Sequence, residues 1–212
     1  MKNLLILFMS LYLFSCNGQK EHNTNNKTVK PKENKIKTME KFNIDMFNKN
    51  QKNGEWSFID ENGNKVRVIK DQDDGYVKET KIKSDYFDIY KYFDINGNLI
   101  NKGKEYHGGG FNKGIWIKYN NIGEIIEEFN YDKPYENYPW EKVEAYLISR
   151  KVDLKDNYTR VWREENTDGT FWMISWDAQK LSKIGTKTIT NIVIDVKTEK
   201  VVKEYTTIYK DN

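Results

Sequence analysis

The sequence contains a single cysteine, Cys16, among its 212 residues. One cysteine cannot form an intramolecular disulfide, so the folded chain must depend on its hydrophobic core. Histidine is also scarce, with only His22 and His107 present. Two histidines far apart in sequence and one cysteine supply no ligand set for zinc. We therefore expect no metal site and no other cofactor.

The sequence also lacks a strong charge of one sign, because 35 basic and 32 acidic side chains leave a net charge of +3. A balance of this kind creates no strong field for nucleic acid, and we expect no nucleic-acid partner. Only three prolines occur, whereas aromatic residues make up 14% of the chain. Aromatic side chains pack well on pleated surfaces and favour β structure.

An apolar run from Leu4 to Phe14 follows the short basic start of the chain. A membrane-spanning helix needs about 20 apolar residues, so this run is too short to span a bilayer. A basic start followed by an apolar core of this length is typical of a secretory signal peptide, which we place at residues 1–15.

The end of that run, "LFSC" at residues 13–16, resembles the lipobox of bacterial lipoproteins. Leu13 and the small Ser15 stand where the motif requires them, while Phe14 is bulkier than the usual residue. The resemblance implies cleavage before Cys16 and lipid attachment there, with the bilayer as a partner of the mature chain. A plain signal peptide with a chance cysteine is the alternative. We expect an exported, membrane-anchored protein of the cell envelope, at the outer membrane or cell surface.

The residues after Cys16 are rich in Asn and Lys and nearly free of large apolar side chains. Such a segment cannot bury enough surface to order itself, so residues 16–40 are predicted to be a flexible tether. "QKE" at 19–21 is similar to the export signals of some surface lipoproteins, although ordinary linker composition explains it equally well.

Three related stretches occur in residues 41–135: "GEWSFIDENG", "DIYKYFDING" and "GIWIKYNNIG". They end at Gly63, Gly97 and Gly123, and an alternating apolar and polar run follows each glycine. A hairpin loop built on a type I turn needs a left-handed residue at this place, which glycine supplies. The pattern predicts an antiparallel meander of about six strands, preceded by a short helix near 47–51 that Asn43 or Asp45 caps.

"GIWIKYNNIGEII" resembles the MORN-like repeats of bacterial proteins, and the other two stretches match less fully. The resemblance implies an elongated sheet that serves as a scaffold or an interaction surface. Trp56, Tyr90 and Trp116 occupy one position of the repeat, and Tyr119 lies three residues after Trp116. The first three are expected on one side of neighbouring hairpins, either as a row that grips a glycan or a partner protein or as core residues of the sheet. Tyr119, a further ligand-binding candidate, is expected to project to the face opposite Trp116.

Residues 136–212 change the pattern. Apolar residues at helical spacing predict a helix at 140–150, followed by strands at 158–164, 170–176, 188–196 and 200–209. A helix packed on a small antiparallel sheet is similar to PepSY-like modules. The stretch "IVIDVKTEKVV" resembles the last hairpin of these modules, with Glu199 in place of a glycine. The predicted fold class is therefore a β-rich α+β protein.

No catalytic set emerges from the sequence. "HGGG" at 107–110 resembles the oxyanion loop of some esterases, but no G-x-S-x-G is present to supply a nucleophile. We expect a non-enzymatic, membrane-anchored lipoprotein that acts as an interaction or scaffold module. Two alternatives stand beside it: an immunity protein against a toxin delivered to the envelope, and a carbohydrate-active or hydrolytic surface enzyme with two converging carboxylates.

Overall fold

The computed structural model describes residues 39–71, 75–107, 110–178 and 186–210. These ranges belong to a compact unit that spans residues 37–212. The predicted signal peptide, Cys16 and the tether as far as residue 38 lie outside the described residues, as does most of the segment "DAQKLSKIG". All helices and strands described below belong to this unit.

The first sheet contains seven strands, one more than the sequence predicts, and each strand pairs with its neighbours in the chain. The strands are β1 (Glu55–Ile59), β2 (Lys65–Asp71), β3 (Gly75–Lys81), β4 (Phe87–Phe93), β5 (Leu99–Tyr106), β6 (Asn112–Tyr119) and β7 (Ile125–Asn130). Every pairing is antiparallel, so the predicted meander is confirmed.

A short helix, α1 (Ile44–Asn50), precedes the sheet and begins three residues earlier than predicted. The side chain of Asn43 accepts a hydrogen bond of 2.9 Å from the backbone N–H of Met46, so Asn43 is the residue that caps the helix. Phe47, which is 1% exposed, places this helix on the core of the first sheet.

The three repeated loops share one hydrogen-bonding scheme. In each, the N–H of the glycine bonds to the carbonyl three residues earlier, and a side-chain oxygen of that earlier residue accepts two backbone N–H groups. The residues that close the loops in this way are Asp60, Asp94 and Asn120. Gly63, Gly97 and Gly123 have φ angles of 78°, 77° and 83°. The left-handed glycine expected from the repeat is thus confirmed in all three loops.

Replacing Gly97 with alanine is expected to destabilise the protein more than replacing Gly63. The two φ angles differ by one degree, so both variants bear a similar backbone penalty of about 1 kcal/mol. A Cβ at Gly97 would lie 2.8 Å from the carbonyl oxygen of Phe42, whereas a Cβ at Gly63 meets nothing within 4 Å. We expect about 1–2 kcal/mol of further loss at Gly97 in urea unfolding. Equal losses in the two variants would contradict the steric argument.

The second sheet contains four antiparallel strands and follows the helix α2 (Trp140–Ser149), which confirms the predicted helix. A 3₁₀ turn (Lys133–Tyr135) precedes the helix. The strands are β8 (Arg160–Asn166), β9 (Gly169–Asp177), β10 (Thr186–Asp195) and β11 (Lys200–Lys210), again paired in chain order. Glu199, which stands where the PepSY-like hairpin has glycine, has a left-handed φ of 58°.

The described residues form two hydrophobic clusters. The first joins α1 to one face of the first sheet and contains Phe47, Val66, Val68, Tyr76, Phe93 and Leu99. The second joins the first sheet, α2 and the second sheet, and includes Phe87, Tyr106, Phe111, Trp140, Val143, Leu147, Val161, Trp172, Ile174 and Ile192. Residues on both sides of the domain boundary predicted at 135 therefore share a core.

Arg163 of β8 extends from the second sheet to the backbone of the first. Its Nη1 donates hydrogen bonds to the carbonyl oxygens of Asn112 (2.8 Å) and Tyr131 (2.9 Å), and its Nη2 donates to Asp132 Oδ1 at 2.7 Å. The side chain is only 8% exposed. One charged side chain thus holds together β6, the segment after β7, and β8.

Three aromatic rings surround the same guanidinium. Its Cζ lies 4.5 Å from the ring centre of Phe111, 4.3 Å from that of Tyr135 and 4.7 Å from that of Trp172. A guanidinium at these distances is attracted by the negative faces of the rings, more so when water is excluded. The second core is therefore built around a buried cation.

Within the four described ranges, no helix has the length and apolar character needed to cross a bilayer.

Candidate functional site

The aromatic residues of the repeat do not form a single row. Trp56 of β1 pairs directly with Val68 of β2, which pairs with Lys78 of β3, which in turn pairs with Lys91 of β4. We call such a row of directly paired residues a rung. Residues that pair directly lie on one face of a sheet and successive residues alternate, so Trp56 and Tyr90 lie on opposite faces. The expectation that Trp56 shares a side with Tyr90 is thus wrong, because the strand register differs between the hairpins.

We call the face that carries Trp56, Val66 and Val68 the core face and the opposite face the outer face. Trp56 stacks on Phe58 with ring centres 4.2 Å apart, and both pack against the first core. Tyr119 also packs against this core, beneath Lys102, whose Nζ lies 5.5 Å from the ring centre.

Tyr90 and Trp116 lie on the outer face. Trp116 is 9% exposed, because its ring covers Gly103 and its Nε1 donates a 3.1 Å hydrogen bond to the carbonyl of Lys104. Tyr90 is half-buried beside Tyr92, with ring centres 6.4 Å apart. The structure places Trp116 mainly as a packing residue, and a ligand-binding role for the four aromatic residues stays a prediction.

A cleft of about 830 Å³ opens at the end of the first sheet where β1, β3 and β5 end and β2 begins. The loop between α2 and β8 forms its other wall. The described lining residues are Ile59, Gly63, Lys65, Lys81, Ile82, Lys83, His107, Leu154, Lys155, Asp156, Asn157, Thr159 and Arg160. None of the four aromatic candidates is among them.

The cleft is strongly basic. Lys65 and Lys81 face each other directly across β2 and β3, an arrangement of like charges that destabilises a strand pair. Lys83 follows on the same chain segment, and Lys155 and Arg160 come from the opposite wall. Five basic side chains therefore meet one acidic lining residue, Asp156.

Within the part of the chain that the structure describes, most of these cations have no acidic partner. Lys81 Nζ lies 3.1 Å from Glu79 and 3.9 Å from Asp88. Lys155 Nζ instead donates a 3.3 Å hydrogen bond to the carbonyl oxygen of Lys83. Among the described residues, no carboxylate lies within 4.0 Å of the side-chain nitrogens of Lys65, Lys83, Lys155 or Arg160. The described acidic residues thus leave part of the positive charge of this cationic cleft unpaired.

His107 lines the cleft with a side chain that is 27% exposed, and it contacts the buried Asp88 behind it. Asp88 is 2% exposed, and its Oδ1 lies 2.7 Å from His107 Nδ1. His107 Nε2 lies 2.7 Å from the carbonyl oxygen of Asp85, which can only accept, so Nε2 carries a proton. Despite this close approach, Nδ1 and Asp88 Oδ1 are buried without a hydrogen bond of good geometry. The imidazole is thus fixed by one hydrogen bond and one close polar contact within the fold.

The carboxylates around this pair have unusual pKa values. Burial raises the pKa of Asp88, and nearby Glu79 adds to the effect, against the opposing influence of His107 and Lys81. Glu105, which pairs directly with Asp88 across β4 and β5, has its pKa raised by burial and by the charges of Asp88 and Glu79. The strand register thus brings together acids that are far apart in sequence.

Sequence reasoning did not find the cleft. Its cations come from residues 65, 81, 83, 155 and 160, and only the strand register and the docking of the α2–β8 loop bring them together. The lysines at the ends of neighbouring strands could have indicated the cleft, because the position of a turn determines which residues of a hairpin pair with each other. In the described part of the chain, no three Asp, Glu, His or Cys side chains are arranged to hold a metal ion.

Comparisons with family models, with curated proteins and with solved structures found no match to this chain. The MORN-like, PepSY-like and lipoprotein resemblances therefore rest on their motifs alone.

Proposed function

We propose that this protein is an exported lipoprotein, anchored through Cys16, whose folded body is a non-enzymatic binding module for an acidic partner. The anchoring part of the proposal rests on the lipobox-like "LFSC" and the apolar run before it. The MORN-like resemblance of the meander agrees with a scaffold or interaction role. An immunity protein that binds an acidic surface of a toxin would be one case of this function.

The observation that carries the binding proposal is the cationic cleft. Placing like charges on one rung costs stability unless a counter-charge lies between them. Lys65 and Lys81 are arranged in this way beside three further cations, and the nearest acid on the rung, Asp88, lies on the far side of Lys81 rather than between the two lysines. An acidic ligand would relieve this repulsion, which gives the binding a physical reason in addition to the attraction itself.

The state of His107 favours binding over catalysis. A general base needs a ring nitrogen that can reach a proton of the substrate. Here Nε2 is hydrogen-bonded to the carbonyl of Asp85, and Nδ1 lies against the buried carboxylate of Asp88, each at 2.7 Å. The imidazole therefore acts as a support of the cleft wall in the proposed function.

Replacing Cys16 with alanine is expected to move the protein from the membrane fraction to the soluble envelope fraction. Without the thiol there is no site for lipid attachment, so the anchor that the acyl chains would supply is lost. Immunoblotting of fractionated cells measures the change. Ser15→Ala, which keeps a small residue before the cysteine, is the matched control and should stay with the membrane. Retention of the Cys16→Ala variant in the membrane would contradict the anchoring proposal.

A hydrolytic surface enzyme is the second candidate, favoured by the rung that joins Asp88 and Glu105. Glycosidases use paired carboxyl groups, one of which has a raised pKa and serves as an acid. Both of these carboxyls have raised pKa values. Hydrolysis of any chromogenic glycoside by the full chain, lost in Glu105→Gln, would favour the enzyme over the binding module.

A further inference from the structure

The residues of the cleft restrict its ligand to a narrower chemical class than acidic partners in general. We infer that the cationic cleft binds a multiply charged phosphate group, carried either on a soluble polyphosphate-like molecule or on a lipid headgroup. This inference rests on the proposed function, because it takes the cleft to be the binding site.

The number of unpaired charges in the cleft favours a polyanion. Lys81 already contacts Glu79 and Asp88, and the other four basic side chains stand against Asp156, which leaves an excess of three positive charges among the described residues in a space of about 830 Å³. A single carboxylate would neutralise a third of that excess. A di- or triphosphate carries several negative charges in a volume that the cleft can hold.

The cations of the cleft surround its space on two sides. Lys65 and Lys81 lie on one rung, and Lys155 and Arg160 stand on the opposite wall. Charges that surround a space on two sides fit a compact polyanion better than an extended chain of separated charges. The cleft thus matches a group whose charges are concentrated on neighbouring phosphorus centres.

The type of donor in the cleft also bears on the ligand. The planar fork of arginine matches both carboxylate and phosphate, whereas lysine carries a point charge with three rotatable donors and is a common phosphate ligand. Four of the five cations are lysines, and Arg160 is the exception. The cleft therefore imposes little planar geometry, and its donors can follow the tetrahedral oxygens of a phosphate.

One apolar residue at the cleft bears on the source of the phosphate. Ile59 is 60% exposed and lines the cleft beside Lys65. An exposed isoleucine next to a phosphate site would contact the glycerol or acyl region of a lipid, but would add little to the binding of a free polyphosphate. The Ile59→Ser variant therefore separates the two sources.

Titration calorimetry of the purified full chain with tripolyphosphate, pyrophosphate, inorganic phosphate and citrate tests the inference. We expect tripolyphosphate to bind at least tenfold more tightly than citrate, which carries a similar charge on carboxylates. The double variant Lys65→Gln/Lys83→Gln should weaken tripolyphosphate binding by about tenfold. Lys49→Gln/Lys133→Gln removes the same charge from exposed positions outside the cleft and should leave the affinity within about twofold.

The outcomes separate the inference from the proposed function. Equal affinities for citrate and tripolyphosphate, both reduced by Lys65→Gln/Lys83→Gln, would overturn the phosphate inference and leave the anion-binding function standing. Absence of binding to all four anions and to phosphate-bearing vesicles would overturn both. An equal loss in the Lys49/Lys133 control would show that net charge rather than the cleft determines binding, and would also overturn the inference.

Flotation with vesicles identifies the carrier of the phosphate. The Cys16→Ala chain, which has no acyl anchor of its own, is mixed with phosphatidylcholine vesicles with or without phosphatidic acid. Flotation only with phosphatidic acid, reduced in Ile59→Ser and in Lys65→Gln/Lys83→Gln, assigns the phosphate to a lipid. Tripolyphosphate binding that Ile59→Ser leaves unchanged, without flotation, assigns it to a soluble molecule.

Discussion

Replacing Arg163 with methionine is expected to lower the free energy of unfolding by about 3–5 kcal/mol. Methionine fills much of the same space, but it removes three hydrogen bonds, to Asn112, Tyr131 and Asp132. The two carbonyls and the carboxylate would then lose a partner at the centre of the molecule, and unsatisfied buried groups are costly. The attraction between the guanidinium and the three surrounding rings is lost as well.

Urea unfolding measures this effect, with Arg67→Met as the matched control. Arg67 also forms an ion pair with a carboxylate, Glu55, at 2.7 Å, but its side chain is 46% exposed. Exposed pairs contribute roughly 0–1 kcal/mol, so the control should change stability little. A loss at Arg163 no larger than that at Arg67 would show that the buried cation does not hold the two sheets together.

The ion pair between Arg163 and Asp132 should also affect how the free energy of unfolding depends on pH in the acid range. Burial alone would raise the pKa of Asp132, but hydrogen bonds from Arg163 and Lys113 outweigh it and lower the pKa below its ordinary value of 3.8. A carboxyl whose pKa is lowered by folding stabilises the protein above its unfolded pKa and loses this contribution as pH falls through the folded pKa. Below pH 3.8, Asp132→Asn should therefore show a shallower loss of stability than the parent.

Replacing Gly103 with alanine is expected to destabilise the protein by about 2–3 kcal/mol through overpacking. A Cβ at this position would lie 2.2 Å from two ring atoms of Trp116 and 2.4 Å from a third. The ring cannot withdraw easily, because its Nε1 donates to the carbonyl of Lys104 and its far side is covered. Either the indole or strand β5 has to move.

A double-mutant cycle assigns this loss to the contact between Gly103 and Trp116. Trp116→Leu alone should destabilise the protein by about 2–4 kcal/mol through lost burial. In the Trp116→Leu background, Gly103→Ala should cost much less than it does alone, because the clashing ring is gone. Additive losses in the two variants would place the cost of the alanine in the backbone of β5 instead.

The turns of this protein could be predicted from the sequence, because their cause is local. Gly63, Gly97 and Gly123 take left-handed φ angles, and the polar residue three positions earlier closes each loop with its own side chain. Both features concern residues close together in the chain. The same is true of α2 and of the four strands that follow it.

The faces of the sheet and the cleft could not be predicted in this way. Whether Trp56 and Tyr90 share a face depends on how β1 to β4 pair, and a shift of one residue reverses the answer. From the sequence, Arg163 cannot be distinguished from an exposed charged residue of a strand. Its burial follows only from the packing of β8 against the segment after β7. The cationic cleft depends on a loop that meets the first sheet from about seventy residues away.

The order of the strands has a consequence for how the chain acquires its structure. In both sheets every strand pairs with the strand next to it in the chain. Each pairing therefore closes only a short loop, the kind of contact that costs little entropy and forms quickly. A chain that is synthesised from its amino end can build the seven-stranded sheet strand by strand, before the last strands have been made. The contacts of Arg163 and the completion of the cleft then become the late steps of folding.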